Sequence, residues 1–261
     1  ATTQCLIDML SVLPRAARCA LQRAALDVCG FVISSLTKWY IQAMSKTQAI
    51  KPSKPSTRTN DPERTMAEIL SVATQEFANK GLAGARIDEI AAATRTSKRM
   101  IYYYFGSKES LYVAVLESAY SRMRKIEADL HLNDLEPEDA LRRLVEFTYD
   151  HHQSNEVFIR LVMSENVLRG AYLSQSKDIQ KLNGSALQTI QALYARGVKK
   201  GVFKKNLTPL EIHSAISALS FFNVSNQHTF GLIFKGKSPQ GKAQTLRKAQ
   251  VVDMMVSYVC A

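Results

Sequence analysis

Helix punctuation, repeated from residue 60 onward, most narrows what this chain can fold into. Asn60-Asp61-Pro62 sets a capping side chain just ahead of a proline, which is how a helix opens. Met66, Ile69, Ala73 and Phe77 then recur on one helical face, and Gly81 stops the run. Ile87, Ile90 and Ala91 mark a second helix of about two turns. After Thr94-Arg95-Thr96, Ser97 caps a third that holds Lys98 to Tyr104. Gly106 ends it, and Ser107 caps a fourth that reaches to about Leu130. Further on, Pro137 opens a segment with Leu141, Leu144, Val145 and Thr148 on its apolar side. Helices also fit Glu156–Leu168, Ser174–Lys200, Pro209–Asn223 and Pro239–Val259. Val and Ile never alternate with polar residues for long, so no strand is predicted. The expected class is all-α.

Within the third helix stand three consecutive tyrosines, Tyr102, Tyr103 and Tyr104. Successive helical residues point about 100° apart, so one buried face cannot absorb all three rings. Ile101 and Phe105, four apart, can supply the core side. Tyr102 and Tyr103 must then point elsewhere, next to Lys98 and Arg99. Phenols and cations shown together on a short helix suit a surface that meets phosphates and base edges. The charge balance agrees: 34 Lys and Arg against 23 Asp and Glu leave a net +11, which favours a polyanionic partner.

Other chemistries find little support. Cys5, Cys19, Cys29 and Cys260 contain no C-x-x-C pair, so neither a zinc site nor a disulfide framework is expected, and the default compartment is reducing. His151 and His152 are neighbours whose side chains diverge on a helix; a partly exposed, non-ligand role is expected of them. There is no phosphate-cradling glycine loop, metal-ligand spacing or nucleophile motif. The expectation is a non-enzyme with no cofactor, no metal and no catalytic residue. No apolar run is long enough to span a membrane and no clean signal-peptide core is present, which places the chain in the cytoplasm.

Two short helices joined by a tight turn, the second basic and aromatic, make a helix-turn-helix. The spacing resembles the tetracycline-repressor (TetR-like) family of bacterial transcription regulators. The matching residues are Ala73-Thr74-Gln75-Glu76-Phe77 with Gly81, Ile87-Asp88-Glu89-Ile90-Ala91, and Ser97 through Phe105. Ser107-Lys108-Glu109-Ser110-Leu111 closes the pattern. The resemblance covers residues 60–116 densely; beyond them it extends only to helix count and length.

That resemblance implies a ligand-responsive regulator, most often a repressor, binding a palindromic double-stranded DNA operator as a homodimer and released by a small-molecule effector. Ser97 to Tyr104 would be the recognition helix. Lys98 and Arg99 could donate to guanine or phosphate, one good bidentate contact being worth roughly 1–3 kcal/mol of discrimination. Met100 could touch a thymine methyl, and Tyr102, Tyr103 and Tyr104 could reach sugar or phosphate. Lys108, in the first turn of the fourth helix, sits where a phosphate would be favoured. Arg86 stands where the family often has a capping threonine, and can reach phosphate by charge instead. Arg95 stands where the family usually has glycine. It must either accept a left-handed conformation, at a cost of roughly 1–2 kcal/mol, or give the turn another shape.

The expected organisation is an N-terminal extension and basic linker over 1–59, a three-helix DNA-binding domain over 60–106, and a larger helical ligand-binding and dimerisation domain over 107–261. Dimerisation is expected through 209–223 and 239–259, four-helix-bundle fashion. In the last helix Leu246, Ala249, Val252, Val256 and Val259 form one stripe, with Val251, Met255 and Tyr258 a second. Phe147, Tyr149, Phe158, Tyr172, Phe221 and Phe222 read as core or dimer packing, with some of them open to lining a ligand cavity, while Arg160, Glu165 and Asn166 are candidates for a buried polar handle. Lys199-Lys200 and Lys204-Lys205 read as a solvated helix end and loop. Residues 1–43 are either a start-site extension without function, the preferred reading, or an amphipathic segment. The second gives the rival function, a membrane-surface or protein-adaptor module. Lys51, Lys54 and Arg58 of the linker could lie along the DNA backbone or minor groove.

Overall fold

Asp61 starts the first helix as a cap should: its carboxylate accepts from Arg64 N at 3.1 Å, with Pro62 in the first helical position. The computed structural model of the protein describes residues 61–235 and 241–261. Expectations for the extension, for the linker arm and for the start of the last helix at Pro239 lie outside the described residues.

Helix α1 spans Pro62–Gly84 and is broken internally at Gly81, whose φ of +67° glycine adopts at little steric cost. Then come α2 (Ile87–Ala93), α3 (Lys98–Phe105) and α4 (Lys108–Ala128). Ser97 and Ser107 both cap, accepting from Met100 N at 3.2 Å and Ser110 N at 3.0 Å. The remaining helices are α5 (Pro137–Ser154), α6 (Glu156–Val167), α7 (Lys177–Lys199), α8 (Pro209–Ser225), α9 (Gln227–Ile233) and α10 (Lys242–Val259). The described chain is all-α, as its periodicity predicts. Its last residues are pinned by an isolated antiparallel bridge between Phe203 and Cys260.

Two apolar cores organise these helices. One gathers Ile69, Ala73 and Phe77 of α1, Ile87 and Ile90 of α2, Ile101 of α3, and Leu111, Tyr112 and Val115 of α4. Leu161 of α6 and Ile179 of α7 complete it, so the first three helices are packed directly onto the later ones. The other core joins α5, α7, α8 and α10 through Leu141, Leu144, Ile190, Ile212, Val252 and Met255.

Several expectations need correction. Helix α7 starts at Lys177, not Ser174, because Ser176 takes the cap: its hydroxyl accepts from Ile179 N at 3.1 Å and donates to Glu117 at 2.6 Å. Helix α9 was not anticipated. His151 and His152 are buried, not partly exposed; Phe158 packs against both rings and Phe221 closes over His152. Lys199, Lys200, Lys204 and Lys205 are exposed, as expected of a solvated helix end and loop, but two of them also make contacts that spacing does not show. Lys200 pairs with Glu136 at 2.6 Å, and Lys204 caps α10 by donating to Ser257 O and Tyr258 O at 2.7 and 3.0 Å. On α10 the two stripes are divided differently: Val251, Val252, Met255 and Val259 go inward, while Leu246, Ala249 and Tyr258 face out.

Candidate nucleic-acid interface

The turn between α2 and α3 sets the geometry of the reading head. Thr96 N donates to Ala91 O at 3.0 Å and Arg95 N to Ala92 O at 3.3 Å, the paired bonds of a Schellman cap. Arg95 occupies the left-handed position with φ +51°. Of the two alternatives open for this residue, the chain therefore takes the glycine-type turn and bears the strain, about 1–2 kcal/mol. Arg86 sits at the α2 cap position with no side-chain capping bond. Its own backbone N–H is taken by Glu76 Oε1 at 3.2 Å, which ties the start of α2 to α1 without supplying the missing side-chain cap.

Helix α3 turns Ile101 inward, 1% exposed, and leaves Tyr102 and Tyr103 at 39% and 77%. Tyr104 is half-buried, packed on the core beside Phe105, with the Tyr103 ring edge-on to it at 5.4 Å. Lys98, Arg99 and Ser97 are exposed and Met100 half-buried. The helix thus presents Ser97, Lys98, Arg99, Tyr102 and Tyr103 to solvent on one stalk, fixed by a cap at one end. Gly106, with φ +77°, closes the other.

Charge on this head is partly compensated by the chain itself. Lys98 Nζ lies 3.0 Å from Asp88 Oδ1, both side chains being about half exposed. Lys80 bonds Glu89 and Glu76, and these contacts push its ammonium above the ordinary lysine range while Lys80 holds Glu89 low. The guanidinium groups of Arg86, Arg95 and Arg99 make no hydrogen bond or ion pair among the described residues. Lys108 is half-buried and its Nζ approaches Ala83 O at 3.4 Å. A cation there suits the carbonyl end of α1, so Lys108 has a structural partner besides any phosphate.

Sequence reasoning missed one contact between the head and the rest of the chain. Arg160 of α6 donates through Nε to Ala78 O at 2.9 Å and through Nη2 to Asn79 O at 3.4 Å, just before the Gly81 break. It was a candidate polar handle; its partners are 82 and 81 residues away and carry no signal in the sequence. Of the other two candidates, Glu165 is buried and accepts from Tyr172 N and Leu173 N at 3.2 and 2.9 Å, whereas Asn166 is exposed.

A capped, solvent-facing helix carrying cations and phenols, set by a tight turn on a three-helix head above a helical domain, defines a helix-turn-helix transcription regulator. Residues 69–115 match the family described as bacterial regulatory proteins, tetR family, and residues 137–255 match the tetracyclin repressor-like C-terminal domain. The HTH-type transcriptional repressor NicS of Pseudomonas putida is 35% identical over 176 residues, 67% of this chain and 83% of that protein. The repressor SCO4008 of Streptomyces coelicolor is 34% identical over 139 residues, 53% of this chain and 69% of its own. In fold, a tetR-family regulatory protein from Rhodococcus RHA1 aligns with a TM-score of 0.60 at 21% identity, over 76% of this chain and 98% of that one. The chain belongs to the TetR family of DNA-binding, ligand-responsive transcription regulators.

Family members bind operators and small-molecule effectors as dimers and are generally not enzymes. The rival membrane or adaptor reading gains no support from these relationships, and the segment it rested on lies outside the described residues. No helix among those described is long and apolar enough to cross a membrane.

Proposed function

We propose that the chain represses transcription from a roughly palindromic operator, acting in the cytoplasm as a homodimer with α3 of each subunit in successive major grooves. The observation that carries this is the solvent-facing row Lys98, Arg99, Tyr102 and Tyr103 on a helix whose opposite face, at Ile101, is sealed into the core. Lys98 and Arg99 read base edges, with Met100 beside them. Tyr102, Tyr103 and Tyr104 reach sugar and phosphate, and Arg86, Ser97 and Lys108 flank the backbone. No catalytic residue is assigned.

Dimerisation uses α8 and α10. Leu210 and Phe222 of α8 and Leu246, Met254 and Tyr258 of α10 are large apolar side chains left in solvent by the single chain, and Phe222 continues onto the exposed Phe230 of α9 at 5.7 Å. Exposed apolar surface of this extent belongs to an interface.

Selection from a random duplex pool tests the reading. The chain should enrich a palindrome, and Arg99→Ala and Lys98→Ala should alter the preferred bases. Uniform weakening, with the enriched sequence unchanged, would demote either residue to a backbone contact.

A further inference from the structure

A cavity of about 290 Å³ lies inside the helical domain, bounded by α4, α5, α6, α7 and α8. Most of its wall is apolar, with the rings of Tyr120, Phe158 and Phe221 among the lining residues. An apolar cavity of ~150 Å³ is enough to hold benzene. This one therefore takes a single substituted ring or two fused rings, not a long chain.

A charged group is built into the same wall. Arg124 of α4 is 10% exposed and paired with Glu127, itself 8% exposed. Its Nε and Nη2 donate to Asn183 Oδ1 at 3.3 and 2.9 Å, and Asn183 Nδ2 donates in turn to Ile179 O at 3.0 Å. The guanidinium is thus clamped before any ligand arrives. Of its five N–H groups these bonds occupy three, which leaves one on each terminal nitrogen.

Glu127 balances Arg124 in formal charge but takes only one of its five N–H groups, so the remaining donors still call for an acceptor. Burial lowers the imidazoles of His151, His152 and His213 below the ordinary range, His152 to about 4, and Arg124 adds to the lowering at all three. His152 and His213 line the cavity as neutral rings, and His152 Nδ1 is buried without a partner among the described residues. A ligand without an acceptor leaves both donors unmatched. A flat apolar body with one planar acceptor group fits the donors and the walls, and a carboxylate makes the stronger, charge-assisted bonds.

We propose that this cavity binds a small aromatic carboxylate as the effector, its carboxylate on the two free N–H groups of Arg124 and its ring against Tyr120, Phe158 and Phe221. The proposal rests on the reading of the helical domain as the effector-binding part of a DNA-binding regulator.

Calorimetric titration of the whole chain with benzoate, hydroxybenzoates and naphthoates, each against its carboxamide, tests the site without DNA. At least one carboxylate should bind one per chain, and at least tenfold more tightly than its amide. Arg124→Lys keeps a charge beside Glu127 but removes the fork, and should weaken that carboxylate about tenfold. The double change Arg124→Gln with Glu127→Gln removes both charges together and should abolish the preference for acid over amide. No binding by any of the acids, equal binding of acid and amide, or undiminished binding by the folded variants would overturn the site. Failure of the bound acid to release the selected operator would overturn its role as effector while leaving the site. A chain that selects no DNA sequence yet binds the acid would sink the regulator reading alone.

Discussion

Asp88 offers the sharpest test of the DNA-reading geometry, because it holds Lys98 in the free protein. The carboxylate is 3.0 Å from Lys98 Nζ, with side-chain exposures of 58% and 51%. A pair this exposed is worth only about 0–1 kcal/mol, and a phosphate competes readily for the ammonium. Two costs nevertheless fall on binding: the pair must be broken or shared, and a negative charge stays near the phosphates. Asp88→Asn removes both. Taking about 0.5–1 kcal/mol per subunit, and two subunits per operator, the gain is about 1–2 kcal/mol, or roughly 5–30-fold in affinity. It should shrink with added salt, since the Debye length is only about 10 Å at 0.1 M.

Fluorescence anisotropy on the selected operator measures this directly. Asp88 also lies in the first turn of α2, where a carboxylate favours the helix by about 0.3–1 kcal/mol, so a small loss of melting temperature is expected alongside. The same substitution in a Lys98→Ala background should give a smaller gain, because part of the effect acts through Lys98. Unchanged or weaker operator binding by a fully helical Asp88→Asn protein would refute the placement of this corner of α3 against phosphate.

Lys108→Ala should reduce the slope of log affinity against log salt by about one unit per subunit, while an unchanged slope would assign Lys108 to the carbonyl end of α1. Arg95→Gly should stabilise the fold by about 0.5–1 kcal/mol: relief of the left-handed strain outweighs the extra freedom glycine gives the unfolded chain. A urea midpoint that stays put or falls at constant slope would contradict the strain. Arg160→Met should leave effector binding to the isolated protein intact but narrow the difference in operator affinity with and without effector. An undiminished ratio would show that the Arg160 clamp carries none of the coupling.

How much of this was legible in advance follows from how local each determinant is. Ser97, Ser107 and Asp61 act on backbone three residues away, so their caps could be read from spacing alone. Ile101 and the tyrosines beside it obey the same rule, since which face is buried follows from a 100° step. Arg95 was visible as an anomaly, yet the choice between strain and a different turn depends on how α2 and α3 pack on α1 and α4. The contacts of Lys204 and Lys200 are hidden for a related reason. A lysine run looks alike in sequence whether it is solvated or reaches a carbonyl 53 residues further on. The α10 stripes were apolar on two sides, and periodicity does not say which side meets the same chain.

The cavity was the least legible part, because its polar end is assembled from residues far apart in the chain. Arg124 and Asn183 are separated by 59 positions, and neither belongs to a motif. Helix α6 shows why the arrangement still has a simple physical logic. Phe158 and Val162, four apart, line the cavity, while Arg160 and Leu161 on the intervening turn grip the carbonyl end of α1 and the head's core. A ring lodged against Phe158 can displace α6 only by moving Arg160 and Leu161 as well, since a packed helix shifts as a unit. Such a displacement would strain the contacts that hold α1 just before its break at Gly81, the glycine whose φ of +67° lets the chain change direction there. One helix of twelve residues thus touches both the proposed effector cavity and the support of the recognition helix, which is the route by which differential binding at the first would be felt at the second.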